Sequence, residues 1–404
     1  MKAFWVPWLH MHQPLVFIGK KLESNLKKML LSKDSKESWD AKLIARAYKN
    51  PATYIEKLAK FNPKIVLDFS GILLESLSQL SSLLENVYVG EEKIGNIIEA
   101  YKKVLRNYPN AIEFAGSAYS HCYFPVTPER DWRWQIEEWQ NVFSSIFGKS
   151  QLKNVKGFWL PEMGVPSYGD KLANLIKILR DFGYEWLMLP IFAVKDYHKL
   201  TYEQKISLIV KPHRLRVNNQ EITVVFSAPY YFIDQQAGAS ASYIYEQCLK
   251  ASAFSKDKPA LIITASDGEN GNVMMSEFFP QTFTDFPTKI KDNKVSFILI
   301  SEFLGKFYKG EKLDEVELSL LGASLVGGHE RWIWGEKRAN IAKRIDEISK
   351  LVNERVNEKN FRELLKLLLI AETSCYVYCG IDYWFYQGEK ILEILKGKIG
   401  FVKH

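Results

Sequence analysis

Val155-Lys-Gly-Phe158-Trp159-Leu160-Pro161-Glu162-Met-Gly164 is a short apolar run that ends in a carboxylate. Ala260-Leu-Ile-Ile-Thr264-Ala265-Ser266-Asp267-Gly-Glu269-Asn270 repeats the plan farther along the chain. Each run reads as a buried β-strand, and each carboxylate stands where the strand gives way to a loop. In a parallel α/β barrel the C-terminal strand ends converge on one mouth, so groups distant in sequence meet there. Two carboxyl groups at one mouth suit glycosidic bond cleavage, one as nucleophile or base and the other as acid.

Working outward, similar runs cover residues 3–9, 64–69, 111–116, 155–160, 185–189, 221–227, 260–265 and 294–300. Helical patterns lie between them, at 71–80 and 170–179 for instance, which predicts an α/β chain with a barrel of seven or eight strands. One of the eight candidates is expected to be peripheral. Beyond residue 305 the strand signal fades, and 316–325, 339–352 and 361–370 read as amphipathic helices. The expected organisation is a barrel domain over residues 1–305 and a C-terminal helical domain over 306–404. The polar stretch 31–38 reads as a surface loop beside the mouth.

The 404 residues are 47% hydrophobic and 25% charged, as in an ordinary globular protein. Aromatic residues make up 14%, which favours a carbohydrate site because aromatic rings stack on the apolar faces of sugars. A net charge of +7 without an arginine-rich stripe argues against nucleic acid as a partner. Cys122, Cys248, Cys375 and Cys379 follow no zinc-site spacing and are expected as free thiols. The apolar N-terminus is interrupted by His10 and His12 and lacks a small-x-small cleavage site. No run approaches the length of a membrane helix. A cytoplasmic protein without a membrane partner is therefore expected.

Strand alternation puts His10 and His12 on one face, with Pro14 ending the strand. The pair either hydrogen-bonds a substrate or carboxylate, or binds a metal with further ligands that the spacing does not supply. Glu75 either points into the mouth or is a solvated first-turn helix residue. The loop Gly116-Ser-Ala-Tyr119-Ser-His121 offers groups that grip hydroxyls, although Tyr119 is equally a core residue. Glu162 lies in a rigid apolar frame of Trp159, Pro161, Met163, Gly164 and Pro166, which suits a carboxylate that must be aimed. Trp159 itself is a candidate for contact with a sugar. Asp267 stands closer to its strand end than Glu269, and is preferred for the second role. Trp332 and Trp334 are either a sugar-stacking wall or packing between barrel and helices.

Taken in order, these segments resemble glycoside hydrolase family 57. The resemblance rests on His10-Met-His12-Gln13-Pro14, Ser70-Gly71-Ile-Leu-Leu-Glu75, the Gly116 to His121 loop with Pro125, Gly157-Phe-Trp159-Leu-Pro-Glu162 and Ser266-Asp267-Gly-Glu269-Asn270. Trp332-Ile-Trp334-Gly-Glu and Ala371-Glu-Thr-Ser374-Cys-Tyr376 extend it nearly to the end of the chain. It implies a distorted (β/α)7 barrel followed by a helical domain, and action on α-glucans with retention of configuration and without a metal or other cofactor. Glu162 then matches the nucleophile and Asp267 the acid/base, while His10, His12, Gln13, Glu75 and His121 match positions of the donor subsite. The motif forms resemble the amylase and amylopullulanase members. Cys375 departs from the family, standing where many members carry an acid, and residues 271–280 match no activity group. The expected function is a retaining hydrolase of α-1,4 and also α-1,6 glucans. The alternatives are a 4-α-glucanotransferase, a branching enzyme, a metal-dependent carbohydrate hydrolase built on His10 and His12, or an inactive glucan-binding relative.

Overall fold

Nine consecutive residues, Ala3 to Met11, are all buried, the mark of a strand covered on both faces. The computed structural model describes residues 2–255, 257–269 and 278–400. Asn270 and residues 271–277, part of a motif and a segment singled out above, lie outside the described residues. The barrel strands are β1 (Ala3–Met11), β2 (Ile65–Phe69), β3 (Ile112–Gly116), β4 (Gly157–Trp159), β5 (Trp186–Pro190), β6 (Gln220–Ser227) and β7 (Ala260–Asp267). They lie in this order, all parallel, and β7 closes onto β1 through eight register pairs from Ala3↔Ala260 to His10↔Asp267. The β6–β7 seam is far thinner, with the single register pair Ser227↔Ile263. Beside it Gln235 links β7 to β1, its amide nitrogen donating to the Trp8 carbonyl at 2.9 Å and to Ser266 Oγ at 2.8 Å. The barrel is therefore closed but distorted, as expected.

The period of two decides what fills the interior. Phe4, Val6 and Trp8 of β1 point inward with Val66, Ala115, Trp186, Met188, Val225, Leu261 and Ile263. The next inward positions toward the C-terminal end are polar: His10 on β1, Asp68 on β2 and Asp267 on β7. At the other end Phe303 meets Phe4 with ring centroids 6.0 Å apart and plugs the barrel. Glu113 of β3 accepts from the Ser301 backbone there, satisfying the start of that plugging helix.

Helices wrap the outside: α1 (Ser35–Lys57), α2 (Gly71–Gln79), α3 (Ile97–Asn107), α4 (Glu129–Phe147), α5 (Asp170–Asp181), α6 (Tyr202–Ile209), α7 (Ala241–Ser252) and the plug α8 (Ile300–Phe307). Their buried stripes pack on outward residues such as Trp5, Leu9, Leu67 and Phe158. Side-chain caps start several of them; Ser70 accepts from Leu73 N at 3.3 Å at the head of α2. Past the barrel, α9 (Glu336–Asn353), α10 (Phe361–Ala371) and α11 (Asp382–Gly400) pack on one another, and α9 and α10 also on α4. A buried polar joint ties them down. Gln135 of α4 donates to Glu372 Oε2 at 2.8 Å, and Asn353 of α9 donates to Asp131 Oδ1 at 2.7 Å. Among the described residues no helix is long and apolar enough to cross a membrane.

The eighth candidate strand is the peripheral one expected: it forms only Val295–Phe297, pairs with the start of β1 outside the barrel and is followed by α8. Two sequence expectations need correction. Residues 316–325 form no helix. Glu315–Val316 is a short strand, and the chain then bridges to the barrel loops at Val194↔Leu318 and Val165↔Ala323. Gly322 explains part of this, since its φ is +75° and a Cβ there would lie 2.1 Å from the Val165 carbonyl oxygen. Residues 31–38 are a tight turn and the head of α1, capped by the Asp34 side chain, and not an open loop.

Candidate active site

At the C-terminal mouth of the barrel lies a cavity of about 570 Å³. Glu162 and Asp267 both line it, with His10, His12, Gln13, His121, Trp159 and Glu269 among the sequence candidates. Glu162 follows β4 in a single tight turn. Its backbone is left-handed (φ 58°, ψ 17°), and so is that of Met163 (φ 49°). His121 is left-handed too (φ 63°). Such conformations cost about 1–3 kcal/mol each in non-glycine residues and cluster at functional sites. The surroundings hold the turn in place. Leu325 N donates to the Glu162 carbonyl at 2.9 Å, and Gly164 lets Tyr123 approach to where a Cβ would be 2.4 Å away.

Around Glu162 the polar groups are tightly partnered. Ser374 Oγ donates to Glu162 Oε1 at 2.9 Å. Burial pushes the Glu162 carboxyl up to about 7; the Ser374 hydrogen bond opposes this and the Asp267 charge adds to it. On β1, burial disfavours a charged His10, but the Asp68 carboxylate 2.6 Å from its Nδ1 outweighs it and pushes the imidazole up to about 9. Trp8 Nε1 donates to the other Asp68 oxygen at 2.6 Å. Burial holds His12 and His121 well below the usual range, and charge on neighbouring histidines adds to the effect. Trp159 stacks flat on His10, with centroids 5.2 Å apart and planes at 12°.

The second carboxylate stands at the end of β7. Gln236 Oε1 accepts from Asp267 N at 2.9 Å, and Gly268 N donates to the His10 carbonyl at 2.7 Å. Glu269 is half-buried against the same cavity, and loss of hydration together with the Asp267 charge pushes its carboxyl up to about 8. Its Oε2, His12 Nε2 and Trp159 Nε1 have no hydrogen-bond partner among the described residues. All three side chains border the cavity, so a hydroxyl-rich ligand would satisfy them.

Four candidates lie elsewhere. Glu75 does not line the cavity; its carboxylate accepts from Tyr119 Oη at 2.8 Å and from Lys366 Nζ at 2.6 Å, and ties α2 to α10. Tyr119 is buried and occupied by that bond. Trp332 is buried and stacked on Tyr123 at 4.2 Å, the packing alternative named above. Trp334 is 66% exposed and outside the lining. Conversely, the sequence reading passed over Asp68, Gln235, Tyr230 and Trp384, and quoted Ser374 only within the segment 371–376, without a site role. Asp68 had a signal, since it is the one charge in the apolar strand Ile-Val-Leu-Asp-Phe.

His12, His121 and Cys375 bring possible metal-ligand atoms within 4.8 Å of one another. As arranged they do not fit a shared ion. The two imidazoles are stacked, with centroids 4.1 Å apart and planes at 8°. Lone pairs lie in the ring planes, so two parallel rings cannot aim at one ion at the ~2.0–2.1 Å a zinc–nitrogen bond needs. Both His121 nitrogens are also within hydrogen-bond distance of other partners, Ser374 and His10.

Comparison with known proteins agrees with this architecture. The sequence profile of glycosyl hydrolase family 57 matches residues 3–314. By sequence comparison no curated protein matches the chain. Among solved structures, the 4-α-glucanotransferase of Thermococcus litoralis superposes with a TM-score of 0.66 at 17% identity, covering 98% of this chain and 60% of that one. The family 57 branching enzyme of Pyrococcus horikoshii gives 0.68 at 16% identity, covering 98% and 88%. An α-amylase of Thermotoga maritima gives 0.66 at 13% identity, covering 98% and 93%. At these identities the likeness is one of fold. The profile match spans most of the chain, and on that ground the chain belongs to glycosyl hydrolase family 57.

Proposed function

We propose that this protein is a retaining glycosidase of α-1,4-linked glucans, acting also on α-1,6 links, with Glu162 as nucleophile and Asp267 as acid/base. The observation that carries the reading is that both carboxylates border one cavity from the ends of β4 and β7. Glu162 attacks the anomeric carbon while Asp267 gives a proton to the leaving oxygen. Asp267 then takes a proton from water, which releases the sugar from Glu162 with its original configuration. The unpartnered atoms of His12, Trp159 and Glu269 would bind the sugar hydroxyls. We place the enzyme in the cytoplasm, in keeping with its four free cysteines.

Phe192, Tyr230, Tyr378 and Trp384 also line the cavity. They offer stacking surfaces for a second sugar, which favours transfer as a second reading. Asp267 would then activate a sugar hydroxyl in place of water, as a 4-α-glucanotransferase or branching enzyme requires. Incubation with maltooligosaccharides, amylose and pullulan, with products resolved by size and linkage, tests both. Shorter saccharides alone mean hydrolysis, longer ones or new α-1,6 links mean transfer, and unchanged substrates contradict the proposal.

A further inference from the structure

Five side chains make an unbroken line from the buried wall of the barrel to the candidate nucleophile. Asp68 Oδ2 is 2.6 Å from His10 Nδ1. His10 Nε2 is 2.8 Å from His121 Nε2. His121 Nδ1 is 2.9 Å from Ser374 Oγ, which is 2.9 Å from Glu162 Oε1. Asp68, His10, His121 and Ser374 are all buried. We propose that these four residues form one directional hydrogen-bond relay, and that its last member, Ser374, is a positioning residue that orients the Glu162 carboxylate and holds it charged. The inference rests on the reading of Glu162 as nucleophile.

Direction follows from counting protons. Asp68, as a carboxylate, only accepts, so His10 Nδ1 carries a hydrogen. If His10 is an imidazolium, its Nε2 also donates and His121 Nε2 accepts. The His121 proton is then on Nδ1 and points at Ser374 Oγ. The single Ser374 hydrogen is left for Glu162, which must be ionised to accept it. The reverse order holds the same number of protons. There His10 is neutral and still donates from Nδ1 to Asp68, the other three bonds run backward, and Glu162 must be protonated to donate to Ser374. Asp68, fixed on its other side by Trp8, favours the first order because it stabilises the imidazolium. The relay thus links a charge on His10 to a charge on Glu162, although the two carry no bond to each other.

The fold holds the line at both ends. The strained backbones of His121 and Glu162 present the two side chains between which Ser374 sits. Ser374 N donates to the His121 carbonyl at 3.0 Å, and Cys122 and Thr373 form a β-bridge beside it. This clip carries Ser374, from the C-terminal helical part, to the candidate nucleophile at the barrel mouth.

Other groups face Glu162. Asp267 opposes its ionisation, whereas His10 and Arg331 favour it. His121 Nδ1 lies 3.9 Å from its carboxylate. The thiols of Cys375 and Cys379 and the phenols of Tyr123 and Tyr378 are also near, and burial raises each of them, so they stay neutral around pH 7. A change at Ser374 leaves all of these in place.

The test compares Ser374→Ala, Ser374→Thr, Asp68→Asn and the Ser374→Ala/Asp68→Asn double variant, using kcat and KM on a maltooligosaccharide across pH. Covalent labelling of Glu162 by a fluorinated α-glucosyl fluoride, read by peptide mass spectrometry, is the control. The relay predicts that Ser374→Ala lowers kcat about 10- to 100-fold with KM little changed and moves the acidic limb of kcat/KM up by about one pH unit. Ser374→Thr, which keeps the hydroxyl, should restore the limb. Asp68→Asn should move it in the same direction, and the double variant should be no worse than Ser374→Ala within about twofold, because both changes break one line. A limb that stays in place in Ser374→Ala, a threonine variant as impaired as alanine, or losses that multiply in the double variant would overturn the relay. The Ser374 pair decides the matter even where Asp68→Asn does not fold. If wild-type enzyme shows no label on Glu162, the nucleophile reading fails and takes the relay with it; a labelled Glu162 with an unmoved limb sinks the relay alone.

Discussion

His10 and Asp267 are register partners on adjacent parallel strands, and Asp68 is the partner of His10 on its other side. Register partners in a parallel pair point to the same face, so the three polar side chains form an arc at the top of an interior that is otherwise apolar. An arc of this kind is costly for folding alone, since buried charged groups lose hydration. The hydrogen bond between His10 and Asp68 offsets part of that cost.

Roles can be separated by substitution. Glu162→Gln keeps the shape but cannot form a glycosyl-enzyme, so turnover of glucan should fall by more than ~10⁴-fold. Asp267→Asn should lose about 10²–10⁴-fold on glucan, the usual worth of a general acid. On a substrate whose leaving group needs no proton, the first step should survive in Asp267→Asn and not in Glu162→Gln. Near wild-type rates in both variants would remove this pair from the mechanism.

Glu269 competes with Asp267 by proximity, and its free oxygen argues for contact with a sugar hydroxyl. Glu269→Gln should therefore raise KM on maltooligosaccharides by about tenfold, roughly one hydrogen bond, and change kcat less than Asp267→Asn does. Steady-state kinetics check this. A larger kcat loss in Glu269→Gln would exchange the two assignments.

The pH profile has a definite shape. Glu162, raised by burial to about 7, gains a proton as pH falls through that value, so the nucleophile is lost on the acid side. His10, held up near 9 by Asp68 against burial, loses its proton as pH rises through that value, and the order that favours a charged Glu162 goes with it. A plot of kcat/KM against pH should rise through about 7 and fall through about 9. An optimum near pH 5 would contradict both assignments.

Gly157 of β4 faces Trp186, and a Cβ there would lie 2.1 Å from the indole. Gly157→Ala should destabilise the fold by about 1–3 kcal/mol through overpacking. Denaturant unfolding measures the change, and an unaltered midpoint would mean that the interior is looser than its packing indicates.

Much of this was legible in the sequence because the barrel strands are buried on both faces. Runs such as Ala-Leu-Ile-Ile and Trp-Leu-Met-Leu announce themselves without a pattern of alternation. Glu162 and Asp267 could be placed for the same reason, as charges where such runs stop. Glu75 shows the limit: its helix was foreseen, but the direction of a side chain one turn along depends on how α2 sits against Tyr119 and α10. Residues 316–325 carry enough apolar residues for a helix, yet are drawn out by bridges to distant loops. Ser374 was beyond reach as a site residue, because the role proposed for it rests on contacts across 212 and 253 residues of chain.

Metal dependence separates the leading reading from its rival. With the imidazoles of His12 and His121 stacked in parallel, exhaustive chelation should leave activity on glucan intact, within about twofold. Activity lost on chelation and restored by a divalent ion would favour a metal-dependent hydrolase.

The central claim is that Glu162 forms a covalent bond to sugar, and trapping that species tests it most directly. Wild-type enzyme treated with a fluorinated α-glucosyl fluoride and then digested should give one peptide heavier by the fluorosugar, with fragmentation placing the sugar on Glu162. A sugar found on Asp267 or Glu269, or no labelled peptide from enzyme that is turning over glucan, would contradict it.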